Sequence, residues 1–240
     1  LIPEKKSNPI KSFFDSLNDV ILKIIDLIML CAPYGVFALL AAIIVESPSM
    51  DLFKALGFYT LTVLFGLLLL ICIYLIVVKV VVGKSPSYFL KGISPAQLLA
   101  FSTSSSAATL PVTMERVQDH LGVDEEVSSF VLPIGATINM DGSALYQAVA
   151  AVFIAQAFGL DLSLAAQLGI ISTATLASIG SAAVPGAGMV MLAIVLGQLG
   201  VPMEGIGLIL GVDRLLDMCR TVVNVTGDAM VSTVIAKQVG

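Results

Sequence analysis

Charge is scarce in this chain, and the charge that is present does not cluster. Only 12% of the 240 residues are Asp, Glu, Lys or Arg, about half the fraction of an ordinary soluble domain. The 12 basic residues are scattered among 17 acidic ones, so we do not expect the chain to bind nucleic acid. The three cysteines lack the paired spacing of a disulfide framework or a zinc site. Residues 1–10 are mostly polar, unlike a cleavable leader.

Hydrophobic residues make up 58% of the chain, which predicts an integral membrane protein of a plasma or inner membrane. A membrane-spanning helix needs about 20 apolar residues, and residues 27–45 and 55–78 are both free of charge. We predict a spanning helix in each, with the apolar run 61–78 facing lipid or other parts of the protein. Lysines precede the first span and follow the second, so the N-terminal linker and the C-terminus are expected on the cytoplasmic side.

The later apolar segments do not match a single crossing. Residues 92–114 are interrupted by a serine- and threonine-rich stretch at 102–106. Residues 162–203 are too long for one span and are interrupted by a glycine-rich stretch at 180–188. Irregular backbone at membrane depth is tolerated only where protein or a water-filled cavity surrounds it. The pattern therefore predicts two re-entrant hairpins.

Each predicted hairpin precedes a further helix. These helices cover residues 127–160, broken at 139–142, and residues 206–236. The halves also resemble each other, since Ser-Ala-Ala-Thr-Leu-Pro at 106–111 is similar to Ser-Ala-Ala-Val-Pro at 181–185. The predicted fold is an all-α membrane protein in which two spanning helices precede an inverted repeat of re-entrant hairpin plus partly broken transmembrane helix. Such discontinuous segments indicate the substrate site of a secondary transporter.

The last predicted helix carries a polar stripe. At 100° per residue, its members fall within about a third of the circumference: Asp213, Asp217, Arg220, Thr221, Asn224 and Asp228. Ionisable groups at membrane depth are costly unless paired or wetted, which favours a functional site over a structural ion-pair seam. When Asp141 and Arg214 are counted as well, four aspartates and two arginines leave an excess of two negative charges. Uncompensated carboxylates in a membrane bind cations or take up protons, and carboxylates combined with backbone carbonyls suit Na⁺.

Two members of the stripe predict the substrate class. Arg220 can hold a carboxylate through two parallel hydrogen bonds, and Asp217, one turn earlier, can accept an ammonium group. Helix N-termini at the hairpin tips favour a second carboxylate. The pattern therefore predicts an acidic amino acid.

Four motifs carry a resemblance to a known family. They are Ser-Ser-Ser-Ala-Ala-Thr-Leu-Pro at 104–111, Asn-Met-Asp-Gly-Ser at 139–143, Val-Pro-Gly-Ala-Gly at 184–188 and Asp-Met-Cys-Arg-Thr-Val-Val-Asn-Val-Thr-Gly-Asp at 217–228. In this order and spacing, the chain resembles the glutamate transporters, also called dicarboxylate/amino acid:cation symporters.

The resemblance implies a homotrimer in lipid, in which a mobile transport domain moves across the membrane against a scaffold. Residues 1–48 would be the fifth helix of the family, a scaffold helix with its preceding linker. Residues 49–240 would form the transport-domain core, from the sixth helix through the first hairpin, the broken seventh helix and the second hairpin to the eighth helix. Earlier helices of the family have no counterpart in this sequence.

The resemblance also implies individual roles. Substrate contacts would come from Ser104, Ser106, Ser143, Val184, Gly188, Asp217, Arg220, Thr221 and Asn224. Two to three Na⁺ sites are implied. The first would use the backbone carbonyls of Gly135, Asn139 and Asn224 with the carboxylate of Asp228, and the second the backbone carbonyls of Thr137, Ser178, Ile179 and Ser181. The third would use the side chains of Asn139 and Asp141 with a helix outside this sequence.

We therefore expect Na⁺-coupled symport of aspartate or glutamate. Coupling to protons, or transport of a dicarboxylate, is the alternative within the family. Asp217 argues against a dicarboxylate, which has no ammonium group, and Gln147 stands where mammalian members have a proton-carrying Glu. An intramembrane aspartyl protease needs two facing carboxylates and no neighbouring arginine, so we do not expect an enzyme. An ion channel is also disfavoured, because Arg220 would obstruct cation flow.

Overall fold

The structure is a computed structural model that describes residues 50–239, and single residues or short stretches between residues 8 and 45. The chain divides into two compact units, Leu1–Pro48 and Ser49–Gly240. The described residues of the first unit are helical. Much of the span predicted at 27–45 lies outside the described residues.

The described part of the second unit consists of eight α-helices with two short turns of other helix types. The α-helices are α1 (Met50–Val77), α2 (Pro86–Thr103), α3 (Ser106–Asp119), α4 (Glu125–Ile138), α5 (Asp141–Ala157), α6 (Leu164–Ile179), α7 (Ala187–Leu199) and α8 (Ile206–Val239). A π-helical turn, Val78–Val82, continues α1, and a 3₁₀ turn, Met203–Gly205, precedes α8. The all-helical prediction is confirmed for these residues.

Two helical stretches of the described chain are long and apolar enough to cross a membrane, Phe53–Val82 and Glu125–Ala157. The first contains the span predicted at 55–78. It is apolar on every side, burying Val63 and Leu67 while exposing Phe58 and Phe65, as expected for a helix with lipid on one face. The second stretch comprises α4 and α5, whose backbone is interrupted at Asn139 and Met140.

Hydroxyl groups define the beginnings of three helices. Ser85, Ser105 and Ser163 each precede a helix and accept a hydrogen bond from the backbone N–H three residues later, at 3.1, 3.1 and 3.2 Å. A side-chain oxygen at this position satisfies one of the N–H groups that a helix start leaves unpaired. The caps therefore fix where α2, α3 and α6 begin after their connecting segments.

Helix α8 is the centre of the unit, because α1 through α5 and α7 all pack against it. The largest core joins α1, α5, α6, α7 and α8 through buried side chains that include Tyr59, Ile154, Ile170, Leu192 and Leu216. A smaller core, including Phe89, Val117 and Leu132, joins α2, α3 and α4. The polar residues of α8 thus lie between two apolar clusters.

The approach to α8 depends on a tightly packed glycine. A Cβ added to Gly205 would lie 2.2 Å from Cγ2 of Ile154 and 2.9 Å from Cε2 of Phe158. Ile154 is fully buried, so it cannot move aside cheaply. Only a residue without a side chain lets the chain enter α8 against α5.

Substitution of this glycine should destabilise the protein. We expect Gly205→Ala to lower the free energy of unfolding by about 1–3 kcal/mol through overpacking, seen as a lower thermal unfolding midpoint of the purified protein. Gly207→Ala is the matched control, since a Cβ there meets no atom within 4 Å. Equal midpoints for the two variants would contradict this packing account.

Candidate functional site

The polar stripe of α8 is buried, and its centre is a guanidinium. Arg220 is 1% exposed. Its Nη1 donates to Oδ1 of Asp213 at 3.2 Å, and its Nη2 donates to Oδ1 of Asp217 at 2.6 Å. Its Cζ lies 3.8 Å from the ring centroid of Tyr146. A buried charge requires such partners because desolvation is expensive.

Tyr146 is fixed in turn. It is fully buried in the larger core, and its hydroxyl donates to the sulfur of Met189 on α7 at 2.9 Å. The aromatic face that contacts Arg220 is therefore held by α5 and α7 together. The guanidinium has little freedom to reorient.

The segment between α2 and α3 brings serines to the stripe. Ser104 has φ 53°, the one positive φ at a non-glycine residue in the described part of the chain. Such a conformation is costly for a side-chain-bearing residue and is found often at functional sites. The buried Ser104 hydroxyl has no hydrogen-bond partner within the described residues. The strained backbone therefore presents an unused polar group to the site.

The segment between α6 and α7 meets the α2–α3 segment. The Oγ of Ser105 donates to the carbonyl of Ala183 at 2.7 Å, and the backbone N–H of Ala107 donates to the same carbonyl at 3.4 Å. On the other side of this segment, the backbone N–H of Gly186 donates to Oδ2 of Asp217 at 3.0 Å. The α6–α7 segment thus bridges the serine segment and α8.

The glycine at 188 lets the start of α7 approach Arg220. A Cβ added to Gly188 would lie 3.2 Å from Cζ and from both Nη atoms of the guanidinium. A side chain there would compete with Arg220 for the same space.

Most of the predicted substrate residues line one small cavity. Eight of the nine do so, namely Ser104, Ser106, Ser143, Val184, Gly188, Asp217, Thr221 and Asn224. The ninth, Arg220, adjoins the cavity at Gly188. The cavity measures about 20 Å³, room for roughly one water molecule. An amino acid can enter only if one of the bordering segments moves.

The residues predicted for the first cation site also come together. The Nδ2 of Asn139 donates to Oδ1 of Asp228 at 2.9 Å, and a Cβ at Gly135 would lie 2.6 Å from that same oxygen. The side-chain oxygen of Asn224 accepts from the N–H of Gly142 at 2.8 Å. The end of α4, the helix break and α8 therefore converge around one carboxylate.

The other two predicted cation sites are less enclosed. Thr137 and Ile179 are exposed, whereas Ser178 and Ser181 are buried. The carbonyl of Ser178 accepts from the N–H of Ser181 at 3.0 Å. Thr137, Ser178 and Ile179 lie at the carboxyl ends of α4 and α6, where helix dipoles favour a cation. Asp141, of the third site, is exposed.

The donors in these sites are hard oxygen atoms. Within residues 50–239 and the described residues before them, no group of three or more His, Cys, Asp or Glu side chains converges as a metal site. Single carboxylates surrounded by hydroxyls and carbonyls suit alkali cations better than the transition metals, which prefer nitrogen and sulfur ligands.

Two aromatic contacts were not predicted. Tyr74 lies in the apolar run 61–78, yet its hydroxyl donates to Oδ2 of Asp141 at 2.5 Å. The contact of Tyr146 with Arg220 was likewise not predicted from the sequence. Neither residue differs in sequence from an ordinary core aromatic, so only their three-dimensional neighbours identify them.

The sequence matches known proteins along almost its whole length. Residues 1–238 match the family described as the sodium:dicarboxylate symporter family. Similar proteins include excitatory amino acid transporter 3 of Mus musculus, 47% identical over 97% of this chain, and excitatory amino acid transporter 1 of Ambystoma tigrinum, 46% identical over 95%. The chain spans 45% and 42% of the lengths of these relatives. The chain therefore belongs to the sodium:dicarboxylate symporter family, whose members are integral membrane transporters.

Proposed function

We propose that this chain provides the substrate- and ion-binding core of a Na⁺-coupled symporter for aspartate or glutamate. One observation carries the proposal. A buried guanidinium, flanked by two carboxylates, adjoins a cavity lined by strained and small residues from two chain connections. The names of the relatives, which are excitatory amino acid transporters, support this substrate class.

Substrate binding would exchange partners within the stripe. Arg220 is paired with Asp217 at 2.6 Å. The side-chain carboxylate of an acidic amino acid would replace Asp217 on the guanidinium, and Asp217 would then accept the substrate ammonium group. The remaining polar contacts would come from Ser104, Ser106, Ser143, Val184, Gly188, Thr221 and Asn224. Arg220, Asp217, the side-chain carboxylate and the ammonium group would each keep an opposite charge beside them, which limits the desolvation cost. The second carboxylate would lie at the helix N-termini.

Na⁺ would be required by charge balance. Asp141, Asp213, Asp217 and Asp228 outnumber Arg214 and Arg220 by two, and all of these aspartates except Asp141 are buried. An anionic substrate would add further negative charge. Cations bound at two or three sites would offset it, so that ion and substrate raise each other's affinity. The first site would use Gly135, Asn139, Asn224 and Asp228, the second Thr137, Ser178, Ile179 and Ser181, and the third Asn139 and Asp141.

The wider architecture is proposed from the family. The pairs α2–α3 and α6–α7 would be re-entrant hairpins related by an inverted repeat, with the hydrogen bond from Gly186 to Asp217 closing the site. Residues 1–48 would belong to the scaffold and residues 49–240 to a moving transport domain. The assembly would be a homotrimer in a plasma or inner membrane, with the N-terminal linker and C-terminus in the cytoplasm.

Binding of the amino acid should depend steeply on Na⁺. Isothermal titration of aspartate and glutamate into the full-length protein, at several Na⁺ concentrations in choline-balanced buffer, should show affinity rising with more than the first power of Na⁺. Tight binding without Na⁺ would contradict the proposal. Uptake driven by a pH gradient alone would instead support the proton-coupled alternative.

Removal of the guanidinium should abolish recognition of acidic substrates. We expect Arg220→Ala to weaken aspartate binding by at least about 30-fold, because removing one partner of a buried charge pair costs about 2–5 kcal/mol. Na⁺ binding, measured without amino acid, should be partly retained.

Arg116→Ala is the control for this prediction. Arg116 lies far along α3 from Ser106, and its Nε donates to the carbonyl of Gly92 at 2.7 Å. This variant should bind aspartate like the parent protein. Equal affinities in the Arg220→Ala and Arg116→Ala variants would remove Arg220 from the substrate site.

A further inference from the structure

A tyrosine from α1 contacts the helix break. Tyr74 is 4% exposed, and its hydroxyl donates to Oδ2 of Asp141, 67 residues along the chain, at 2.5 Å. Asp141 is the first residue of α5, directly after the interruption at 139 and 140. Asp141, one of the two residues of the proposed third cation site, is thus joined to a helix that contributes no residue to any of the proposed sites.

Gly227 on α8 makes room for this contact. A Cβ there would lie 3.2 Å from the hydroxyl oxygen of Tyr74, 3.3 Å from its Cζ and 2.7 Å from Nδ2 of Asn139. The next residue, Asp228, accepts the hydrogen bond from Asn139. The Tyr74–Asp141 and Asn139–Asp228 pairs therefore stand side by side over one glycine, and α8 is shaped to admit both.

We propose that the Tyr74 hydroxyl positions the Asp141 carboxylate for Na⁺ and thereby sets the Na⁺ affinity of the site that Asn139 and Asp141 would form. This inference rests on the proposed function. The hydrogen bond to Oδ2 fixes the orientation of the carboxylate, and Oδ1 would be available to a cation. Tyr74 acts through Asp141 and is a positioning residue.

The chemistry of the donor matters. The ring of Tyr74 belongs to the larger core, so packing fixes where its hydroxyl points. A phenol is a neutral donor, which orients the carboxylate without cancelling the negative charge that attracts Na⁺. A lysine or arginine in its place would compete with the cation. Hydrogen-bond partners of metal ligands typically contribute 10- to 100-fold to metal affinity.

The test compares Tyr74→Phe with the parent in the full-length protein. The Na⁺ concentration that gives half-maximal thermal stabilisation is measured without amino acid, since a ligand stabilises the state that binds it. We expect this concentration to rise about tenfold. The aspartate affinity at saturating Na⁺ should stay within about twofold of the parent value. The unfolding midpoint without Na⁺ should equal that of the parent within error, because the ring of residue 74 remains in the core.

Tyr88→Phe is the matched control. It also removes a tyrosine hydroxyl that donates to another residue, the backbone carbonyl of His120, but on the exposed part of α2. It should leave the Na⁺ response unchanged. In an Asp141→Asn background, Tyr74→Phe should have no further effect on Na⁺, because the negative carboxylate that the hydroxyl positions is gone.

Three outcomes would overturn the inference. They are a Na⁺ shift below about twofold in Tyr74→Phe, an equal shift in Tyr88→Phe, and a full additional shift in the Asp141→Asn background. If the parent protein itself shows no response to Na⁺, the proposed function fails. If the parent responds and Tyr74→Phe responds identically, only the role of Tyr74 fails.

Discussion

The pairing of Arg220 with Asp213 and Asp217 is the constraint around which the second unit is organised. A guanidinium that is 1% exposed is very costly to bury in a membrane protein without carboxylates in contact and an aromatic face beside it. The two aspartates lie on the same helix as Arg220, 7 and 3 residues before it. This ion-pair cluster is therefore contained in α8. Helices α1 through α5 and α7 pack against this helix, and the three residues of the cluster are buried.

Glycines shape the site by what they omit. At Gly135, Gly142, Gly188 and Gly227, an added Cβ would lie within 3.2 Å of a polar atom of Asp228, Arg220 or Asn139. At Gly57, Gly169 and Gly207, it would meet no atom within 4 Å. Backbone can thus approach polar side chains closely where the site is built, whereas glycines elsewhere have no such neighbours. The contribution of the four site glycines is close packing of backbone around charged and polar side chains.

The features that could be predicted from the sequence are those with a helical period or an interruption of an apolar run. The stripe on α8 follows from the helical repeat, and the α2–α3 and α6–α7 connections and the break before Asp141 follow from polar or glycine-rich residues inside apolar runs. Contacts between distant aromatics and charged groups have no such signature. Tyr74 and Tyr146 illustrate this, because an aromatic residue in an apolar helix looks the same in sequence whether or not it contacts a charged group. The hairpin arrangement, the inverted repeat and the ion sites stay predictions. The two amide atoms of Gln147 are buried without a hydrogen-bond partner among the described residues, and nothing in the structure explains this burial.

The junction between the two chain connections has an energetic consequence. Ser105 and Ala107 hold Ala183 through two hydrogen bonds to a single carbonyl, and Gly186 adds one more to Asp217. Each such bond contributes about 0.5–3 kcal/mol net, so separating the connections costs only a few kcal/mol. Thermal fluctuation alone would therefore part them in a small minority of molecules, on the microsecond to millisecond timescale of loop and lid motions. This separation would open the small cavity to water, and a solute that bound there would change the fraction of time that the two connections spend in contact.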